Sequence, residues 1–460
     1  MQKLTNEEVV SILKELASDF YNEKDQPLKN VLLVGVQHIL GTTVDMLKVM
    51  KDFGLREAFI GGKHYSTHED SVHEIEKLGF EYISGYPQLS YGGFHTHMQW
   101  VIHSIWSKAL ERMAVHQFDL LIILDDGADL LLSTPGILFT EQFKNKPKSI
   151  IGIEQTNGGA NTTGFKGLPF SIINIAGTYV KKRIEYPHLA NMIAQRVVTL
   201  VETEIADSKQ NLVIGILGYG NMGQSMTEAL NRRGFKVVVY EKEFKKRLKI
   251  KNPHYPELAN VLTEADIIIG CTGKNVIDYD DELPILLNST KNKWLISTSS
   301  KDVEFYNLLT YIQDSTKKPQ QIPDALADIK YKNKKGAMIK IIRGGFPVNF
   351  NNGQHSLCPD KIWTTRAALL LAVLYASSSD EHIKIVQSGA EVWSLPVNLQ
   401  VAIIKKYVAL NPEDHYVRDL VRHEAKLIEL VLKNSIGSFV QVNKNHQILR
   451  EVVMEEAIAV

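Results

Sequence analysis

A glycine-rich turn after an apolar run constrains the fold of this chain more than any other feature. Residues 211–217 have the length and apolar character of a buried strand. Gly218, Gly220 and Gly223 follow in the spacing G-x-G-x-x-G, and a helical stretch continues to Gly234. The succession of strand, glycine turn and helix is typical of one half of a parallel α/β sheet that binds a dinucleotide.

Each residue of the turn has a physical role. Gly218 permits a tight turn, Gly220 lets the backbone approach a pyrophosphate, and Gly223 allows close packing of helix on strand. Asn221 and Met222 open the helix, whose N-terminus offers free N–H groups and a partial positive charge to phosphates. We therefore expect all five to contact the cofactor.

An acidic residue at the end of the next strand selects the cofactor. Glu241 closes the run 237–241 and follows Gly220 by about 20 residues, the distance expected of the ribose-binding acid. A carboxylate there accepts hydrogen bonds from a ribose 2′-hydroxyl and repels a 2′-phosphate, which predicts NAD over NADP. Thr272 and Gly273, after a later strand, are predicted to line the nicotinamide half.

The composition excludes several classes of partner. The 460 residues suit two or three domains, and 44% apolar with 23% charged residues is ordinary for a globular protein. Because the formal net charge is zero, neither nucleic acid nor an anionic membrane is predicted as a partner. No transmembrane run or signal-peptide pattern is found, and two cysteines form no disulfide framework, so we expect a cytoplasmic protein.

Strand and helix patterns also alternate before the glycine turn. Apolar strand-length runs begin at Val31, Glu57, Glu81 and Asp119, with helical spacing between them. Residues 64–70 are predicted to form a turn into a helix. This alternation predicts a parallel sheet with helices on both faces, and ligands of such sheets bind at the carboxyl ends of the strands.

The predicted fold class is α/β with two lobes, in which a Rossmann NAD-binding domain is inserted in a doubly wound parallel-sheet substrate domain. We expect residues 1–190 and about 355–400 to form the substrate domain and residues 191–350 to form the NAD-binding domain. Residues 401–460 are expected to form a helical C-terminal extension.

The order and spacing of these motifs resemble S-adenosylhomocysteine hydrolase over roughly residues 28–375. The motifs that carry the resemblance are Gly218–Gly223, Ile123–Leu130, Ser66–Thr67, Asp302–Glu304 and Gly345–Asn349. The resemblance implies that bound NAD oxidises a ribose 3′-hydroxyl, that elimination and hydration follow, and that the ketone is then reduced again. Together with the apolar helices, it implies a homo-dimer or homo-tetramer.

Five residues match the catalytic machinery of that family. His38 matches the histidine after the first strand, and Asp126 matches the second acid of the run Asp-Asp-Gly-Gly-Asp. Lys181 and Glu185 match the Lys and Asp that hold the ribose hydroxyls, with Glu replacing Asp. Glu154 corresponds to a Glu before a threonine run, although the run itself differs here.

Other positions are assigned to ligands by the resemblance, and two of them depart from the family. Asn349 matches an asparagine beside the nicotinamide, and His355 matches a histidine near the adenine. Thr42 stands where the family has the Glu that reads the adenine amino group, and Ser300 stands where it has an active-site histidine. The remaining expected substrate contacts are Thr43 and Thr67. We therefore expect a small nucleoside- or sugar-like alcohol other than adenosylhomocysteine as substrate.

Two other functions remain open. A 2-hydroxy-acid or amino-acid dehydrogenase has the same two-lobed plan, and Arg343 would then clamp a carboxylate near His355. A non-catalytic NAD-binding regulator or scaffold is favoured by the altered Thr42 and Ser300, whereas the retained Lys181 argues against it.

The candidate residues also have structural interpretations. Lys181 and Glu185 have the i,i+4 spacing of a surface ion pair, and Asp126 with its neighbours could cap a helix. Histidines at four positions suggest zinc only weakly, and we expect them to be exposed and no metal to be bound; they are His64, His68, His95 and His97.

Overall fold

The chain folds into two units, each built on a seven-stranded sheet. The computed structural model describes residues 4–85, 94–156, 163–205, 211–315, 326–350, 357, 359–378 and 391–414. Unit 1 takes the described residues within Met1–Gly85, Val101–Glu185 and Cys358–Val460, and unit 2 takes those within Tyr86–Trp100 and Tyr186–Leu357.

The regular elements alternate along the described chain. The strands are β1 (Val31–Ile39), β2 (Glu57–Thr67), β3 (Glu81–Ile83), β4 (Leu120–Asp125), β5 (Ser149–Glu154), β6 (Ser171–Asn174), β7 (Val213–Leu217), β8 (Lys236–Tyr240), β9 (His254–Tyr255), β10 (Ile267–Gly270), β11 (Lys293–Ser297), β12 (Ile329–Lys332), β13 (Met338–Ile341) and β14 (Val392–Ser394).

The α-helices are α1 (Asn6–Ser18), α2 (Gly41–Asp52), α3 (Glu69–Lys77), α4 (Phe94–Val115), α5 (Asp129–Leu132), α6 (Tyr186–Leu200), α7 (Asn221–Asn231), α8 (Phe244–Arg247), α9 (Leu258–Glu264), α10 (Glu282–Leu287), α11 (Tyr306–Ser315), α12 (Pro359–Ser377) and α13 (Val397–Leu410). Short π-helical turns, Lys181–Glu185 and Val201–Ile205, lie at the two ends of α6. Among the described residues, no helix is both long enough and apolar enough to cross a membrane.

The sheet of unit 1 has the strand order β14-β6-β5-β4-β1-β2-β3, and all of its neighbouring pairs are parallel. The apolar runs of β1 and β4 are buried on both faces, which is why helices cover the sheet on both sides. Helices α1, α2, α12 and α13 contribute to one continuous core. The strand order reverses direction between β1 and β4, and such a switch point is where ligands bind in open α/β sheets.

The sheet of unit 2 has the order β12-β13-β11-β10-β7-β8-β9, and only the pair β12–β13 is antiparallel. From β9 through β8, β7, β10 and β11 to β13, this is the 3-2-1-4-5-6 order of a Rossmann fold. The order reverses between β7 and β10. The glycine turn follows β7, and Thr272 lies in the loop after β10. The two sheets confirm the predicted fold class.

Strand β2 is longer than predicted, because residues 64–67 continue it and do not form a turn. The register against β1 shifts between Gln37 and Ile39, so that Ile39 pairs with Thr67. The backbone N–H of His68 then donates to the carbonyl of Ile39 over 2.9 Å, which keeps the strand paired to its end. The irregularity brings the polar end of β2 to the same sheet edge as His38.

Candidate functional site

Two predicted residues meet at the switch point of unit 1. His38 lies near the end of β1, and Asp126 follows β4 directly, so parallel pairing brings both to one edge. His38 Nε2 is 3.1 Å from Asp126 Oδ2, and His38 Nδ1 is 2.6 Å from Ser66 Oγ. The imidazole therefore joins a carboxylate to a hydroxyl.

A buried lysine completes this group. Lys63, whose side chain is 1% exposed, pairs through Nζ with Asp126 Oδ1, and Gln155 donates to Oδ2 of the same carboxylate. Burial alone would raise the pKa of Asp126, but the positive charge of Lys63 and the contact with His38 hold it well below its ordinary value. Asp126 is thus an anion at neutral pH.

The protonation of His38 follows from the same neighbours. Burial lowers the pKa of His38, although Asp126 acts in the opposite direction. The imidazole is therefore neutral near pH 7. Its Nε2–H donates to the Asp126 anion, which leaves Nδ1 to accept a hydrogen bond from the Ser66 hydroxyl. A neutral histidine oriented in this way can take up a proton.

Glu154 lies on the neighbouring strand and serves a different purpose. It pairs in register with Asp125 and accepts hydrogen bonds from the backbone N–H of Gly127 (3.2 Å), Ala128 (2.9 Å) and Thr156 (2.6 Å). These bonds hold the turn after β4, where Gly127 and Ala128 both have positive φ. Glu154 therefore positions the loop that carries Asp126.

Lys181 and Glu185 form a second buried pair. They lie one π-helical turn apart, and Nζ is 2.7 Å from Oε1. Thr365 of α12 donates to the other oxygen of Glu185. The two side chains are only 6% and 10% exposed, so the interpretation as a surface ion pair is wrong. An amine held against a carboxylate in this way can exchange a proton with a hydroxyl.

The predicted threonines on the substrate side have separate partners. Thr43 donates to the backbone carbonyl of His38 over 2.6 Å, and Thr67 donates to that of Lys63 over 2.9 Å. Thr42 is buried in the first turn of α2, where Arg366 Nε is 3.5 Å from its Oγ1. Thr43 and Thr67 thus fix the strand ends, whereas Thr42 contacts a buried cation.

The glycine turn of unit 2 fits a dinucleotide. Gly218 has a φ of +94°, and a Cβ atom on Gly223 would lie 1.9 Å from the carbonyl oxygen of Gly218. No described atom lies within 4 Å of a Cβ built on Gly220, so space for a ligand remains beside it. No described side chain caps α7, whose first residues Asn221 and Met222 are half-buried. The free N–H groups can bind a pyrophosphate.

Glu241 lies beside this turn. It is 6% exposed, and its two oxygens accept the backbone N–H groups of Tyr219 (2.7 Å) and Glu243 (2.8 Å). Each carboxylate oxygen can accept a second hydrogen bond. Glu241 can therefore still bind ribose hydroxyls while it anchors the glycine turn.

Glu304, which belongs to the motif Asp302–Glu304 but was assigned no role from the sequence, lies on the other side of the cofactor cleft. Glu304 accepts the backbone N–H groups of Thr272 and Gly273, each over 2.7 Å, and the hydroxyl of Ser299. Ser300 is half-buried in the same loop. Glu304 thus links the loop after β10 to the loop after β11 through hydrogen bonds.

Three further predictions concern the end of unit 2. Asn349 is buried two residues after Pro347, which bridges to Ser297 at the end of β11. His355 lies outside the described residues. Arg343 has a left-handed backbone conformation, and its N–H donates to Asp328 over 2.8 Å.

Sequence reasoning missed Lys63 and Arg366, yet each left a signal. Lys63 is a lone charge after the apolar run that ends in Gly61 and Gly62, and Arg366 is the one charged residue among residues 362–377 of α12. Charged residues in fully buried elements are rarely without function. The partners of both lie far away in sequence, which is why spacing alone could not find them.

The histidines form no metal site in the described part of the chain, where no three potential ligands are grouped to hold an ion. The expectation that all four are exposed is wrong, because His97 is buried and His64 and His68 are half-buried. Only His95 is exposed.

Sequence comparison identifies the nucleotide-binding segment. Residues 192–275 match the family described as D-isomer specific 2-hydroxyacid dehydrogenase, NAD binding domain. The match covers the glycine turn, Glu241 and the loop after β10. It confirms NAD as the cofactor of this domain.

Similarity over more of the chain links it to mycobacterial proteins. Uncharacterised proteins of Mycobacterium tuberculosis strains CDC 1551 / Oshkosh and H37Rv are each 29% identical over 394 residues, which is 83% of this chain and 72% of theirs. Among solved structures, the dipicolinate synthase A chain of Bacillus subtilis is 10% identical with a TM-score of 0.40, covering 78% of this chain and 97% of that one. An NAD-complexed D-isomer specific 2-hydroxyacid dehydrogenase of Lactobacillus delbrueckii ssp. bulgaricus is 14% identical with a TM-score of 0.30, covering 61% and 75%.

Proposed function

We propose that the protein is an NAD-dependent enzyme that oxidises a secondary hydroxyl of a nucleoside- or sugar-like substrate. The observation that carries the proposal is the buried pair of Lys181 and Glu185, which lies in the same unit as the group formed by His38, Asp126 and Lys63. A buried proton acceptor in a chain with an NAD-binding domain is what carbinol oxidation requires.

The residues of the chain have separate tasks in this reaction. Residues 218–223 hold the pyrophosphate of NAD, and Glu241 holds its ribose. NAD, when bound, accepts two electrons with the hydrogen of the carbinol C–H bond. As the ketone forms, Lys181 takes the hydroxyl proton and passes one of its own protons to Glu185 across their 2.7 Å contact.

The second proton carrier suits a further step. A ketone acidifies the neighbouring C–H bond, and the neutral imidazole of His38 can take that proton while the Asp126 anion stabilises the resulting imidazolium. Loss of a substituent from the adjacent carbon would then lead to elimination. The proposal therefore extends from oxidation to elimination or hydrolysis.

A matched pair of alcohols tests the proposal. Purified protein, with its bound nucleotide identified by mass spectrometry, is mixed with adenosine or with 3′-deoxyadenosine, and NADH formation is followed by absorbance. A panel of ribosides, sugars and their deoxy analogues extends the same comparison. We expect NAD reduction by at least one alcohol and none by its deoxy analogue. If no alcohol reduced NAD, the regulator or scaffold would be the better explanation.

The second candidate is a 2-hydroxy-acid dehydrogenase, and the match of residues 192–275 to that family's NAD-binding domain favours it. Arg343, which would clamp the carboxylate, is half-buried, and its backbone N–H donates to Asp328. Reduction of NAD by a 2-hydroxy acid, but by no riboside or sugar in the panel, would favour this function. The homo-dimer or homo-tetramer and the cytoplasmic location remain predictions.

A further inference from the structure

A buried cation of unit 1 has no ionic partner. Arg366 of α12 is 3% exposed, and its Nε lies 3.5 Å from Thr42 Oγ1 and its Nη1 lies 3.3 Å from Gln37 Oε1. Both distances exceed the usual range of about 2.7–3.2 Å. Among the described residues, Arg366 forms no ion pair, and its remaining N–H groups are available to a ligand.

The nearby carboxylates do not neutralise it. Burial lowers the pKa of Arg366, while Glu185, Asp126 and Asp45 oppose that change from a distance. Glu185 and Asp126 are each already paired with a lysine. A guanidinium remains protonated in proteins, and a buried charge without a counter-ion is costly. Neither Glu185 nor Asp126 is therefore free to serve as the counter-ion of Arg366.

Polar atoms without partners surround the same place. Both carboxyl oxygens of Asp45, one helical turn after Thr42 on α2, are buried without a hydrogen bond to any described group, and so is Nε2 of Gln37. Burial raises the pKa of Asp45 to about 7. Near neutral pH a fraction of Asp45 is therefore a carboxylic acid that can donate. The amide of Gln37 thus has an unused donor beside the guanidinium, and the protonated fraction of Asp45 adds another.

We propose that Gln37, Thr42, Asp45 and Arg366, the Arg366 cluster, bind an anionic group of the substrate, either a carboxylate or a phosphate. The inference rests on the proposed function and narrows its substrate to an alcohol that carries such a group. Arg366 presents a planar fork that binds two oxygens of one oxyanion, and Gln37 Nε2 can donate to a further oxygen. Gln37 is the neighbour of His38 in β1, and Thr42 is the neighbour of Thr43, which donates to the His38 carbonyl, so the anionic group would lie near His38.

Binding of simple anions tests the inference without turnover. Full-length protein saturated with NAD, so that the pyrophosphate site is filled, is titrated with inorganic phosphate or with acetate in a calorimeter. We expect saturable binding of at least one anion. Its affinity should fall about tenfold or more in Arg366→Gln and by less in Arg366→Lys, which keeps the charge but loses the planar fork. Preference for phosphate or acetate distinguishes a phosphate ester from a carboxylic acid as the substrate.

Controls separate this inference from folding and from the proposed function. Arg56→Gln removes an exposed arginine of the same unit and should leave anion binding unchanged. If Arg366→Gln did not fold, a several-fold loss in Arg366→Lys would still support the inference. The inference would be overturned if the wild type bound no anion. It would also be overturned if Arg366→Gln and Arg366→Lys both bound the anion with wild-type affinity. Lys181→Arg keeps a cation against Glu185 but cannot release a proton near neutral pH, so it should keep anion binding and lose NAD reduction. Failure of the redox proposal and failure of this inference therefore give different results.

Discussion

At the scale of single residues, the charge on Asp126 decides what His38 can do. Lys63 and His38 both face this carboxylate, and Lys63 is the partner that is buried in full. Without the lysine, the negative charge of Asp126 would raise the pKa of His38 and favour the protonated imidazolium. The ion pair therefore keeps His38 neutral and available as a proton acceptor.

Lys63→Met should destabilise the fold by about 3 kcal/mol, because it leaves Asp126 as a buried charge with one cationic partner fewer. Chemical denaturation measures the loss, and the pKa of His38 measured by NMR should rise in the variant. Lys77→Met, which removes an exposed lysine paired with Glu74, should leave stability close to that of the wild type. Equal effects of the two substitutions would contradict the role of Lys63.

The adjacent carboxyls of Asp125 and Glu154 predict a pH dependence of stability. Burial, together with the charge of neighbouring acids, raises the pKa of both groups. A raised folded-state pKa means that the folded state keeps a proton that the unfolded state loses above pH ~4. The protonated carboxyl groups therefore contribute fully to the free energy of unfolding below pH ~4. This contribution is lost as pH rises towards the raised pKa values of the folded state.

Glu154→Gln should therefore lower stability most at acidic pH, and its difference from the wild type should narrow as pH rises, by up to about 1.4 kcal/mol per pH unit. Urea denaturation over a pH series measures the difference. Glu141→Gln, at a side chain that is 96% exposed, should show no such trend. A constant difference for Glu154→Gln would show that the pair holds no extra proton.

At this scale the sequence predicted His38 and Asp126 as site residues but missed Lys63 and Arg366. His38 and Asp126 lie at strand ends, where topology alone brings side chains together, so their contact could be expected. Lys63 depends on the irregular register of β2, and Arg366 depends on the packing of α12 against α2. Neither long-range relation is encoded in local spacing.

At the scale of elements, two glycines of the turn between β7 and α7 are required for different reasons, one for folding and one for the cofactor. Gly223 is required by the protein itself, since a Cβ atom there would collide with the carbonyl of Gly218. Gly220 has ordinary backbone angles and meets no described atom within 4 Å. Its lack of a side chain therefore serves the cofactor.

Gly220→Ala should leave the free energy of unfolding of the apoprotein within about 1 kcal/mol of the wild type, because the methyl group enters open space. NAD affinity should fall about tenfold or more, since that space is taken by the pyrophosphate. Gly223→Ala should lose both stability and NAD binding. Calorimetric titration with NAD and thermal unfolding measure the two effects, and normal NAD affinity in Gly220→Ala would refute the assignment.

Most elements could be predicted because hydrophobic periodicity reports them directly. The strands around the glycine turn are continuous apolar runs, and the helix after it begins where expected, at Asn221. The end of β2 could not be predicted, because residues 64–67 are polar and aromatic and are held in the strand by pairing with β1.

At the scale of the whole molecule, one architecture is used twice. In each unit the strand order reverses beside the first strand of the sheet, between β1 and β4 in unit 1 and between β7 and β10 in unit 2. The carboxyl ends of these strands carry the proton carriers in one unit and the glycine turn in the other. The alternation of strands and helices made this architecture predictable, whereas the substrate depends on buried side chains such as Arg366.

The central claim is that Lys181 moves the proton of an alcohol while NAD is reduced, and single-turnover NADH formation tests it most directly. With an alcohol that reduces NAD in the wild type, Lys181→Ala should slow NADH formation at least about a hundredfold, as expected when a positioned proton acceptor is lost. NAD affinity should be unchanged. Arg183→Ala, an exposed residue of the same π-helical turn, should react at the wild-type rate. NADH formation by Lys181→Ala at the wild-type rate would contradict the claim.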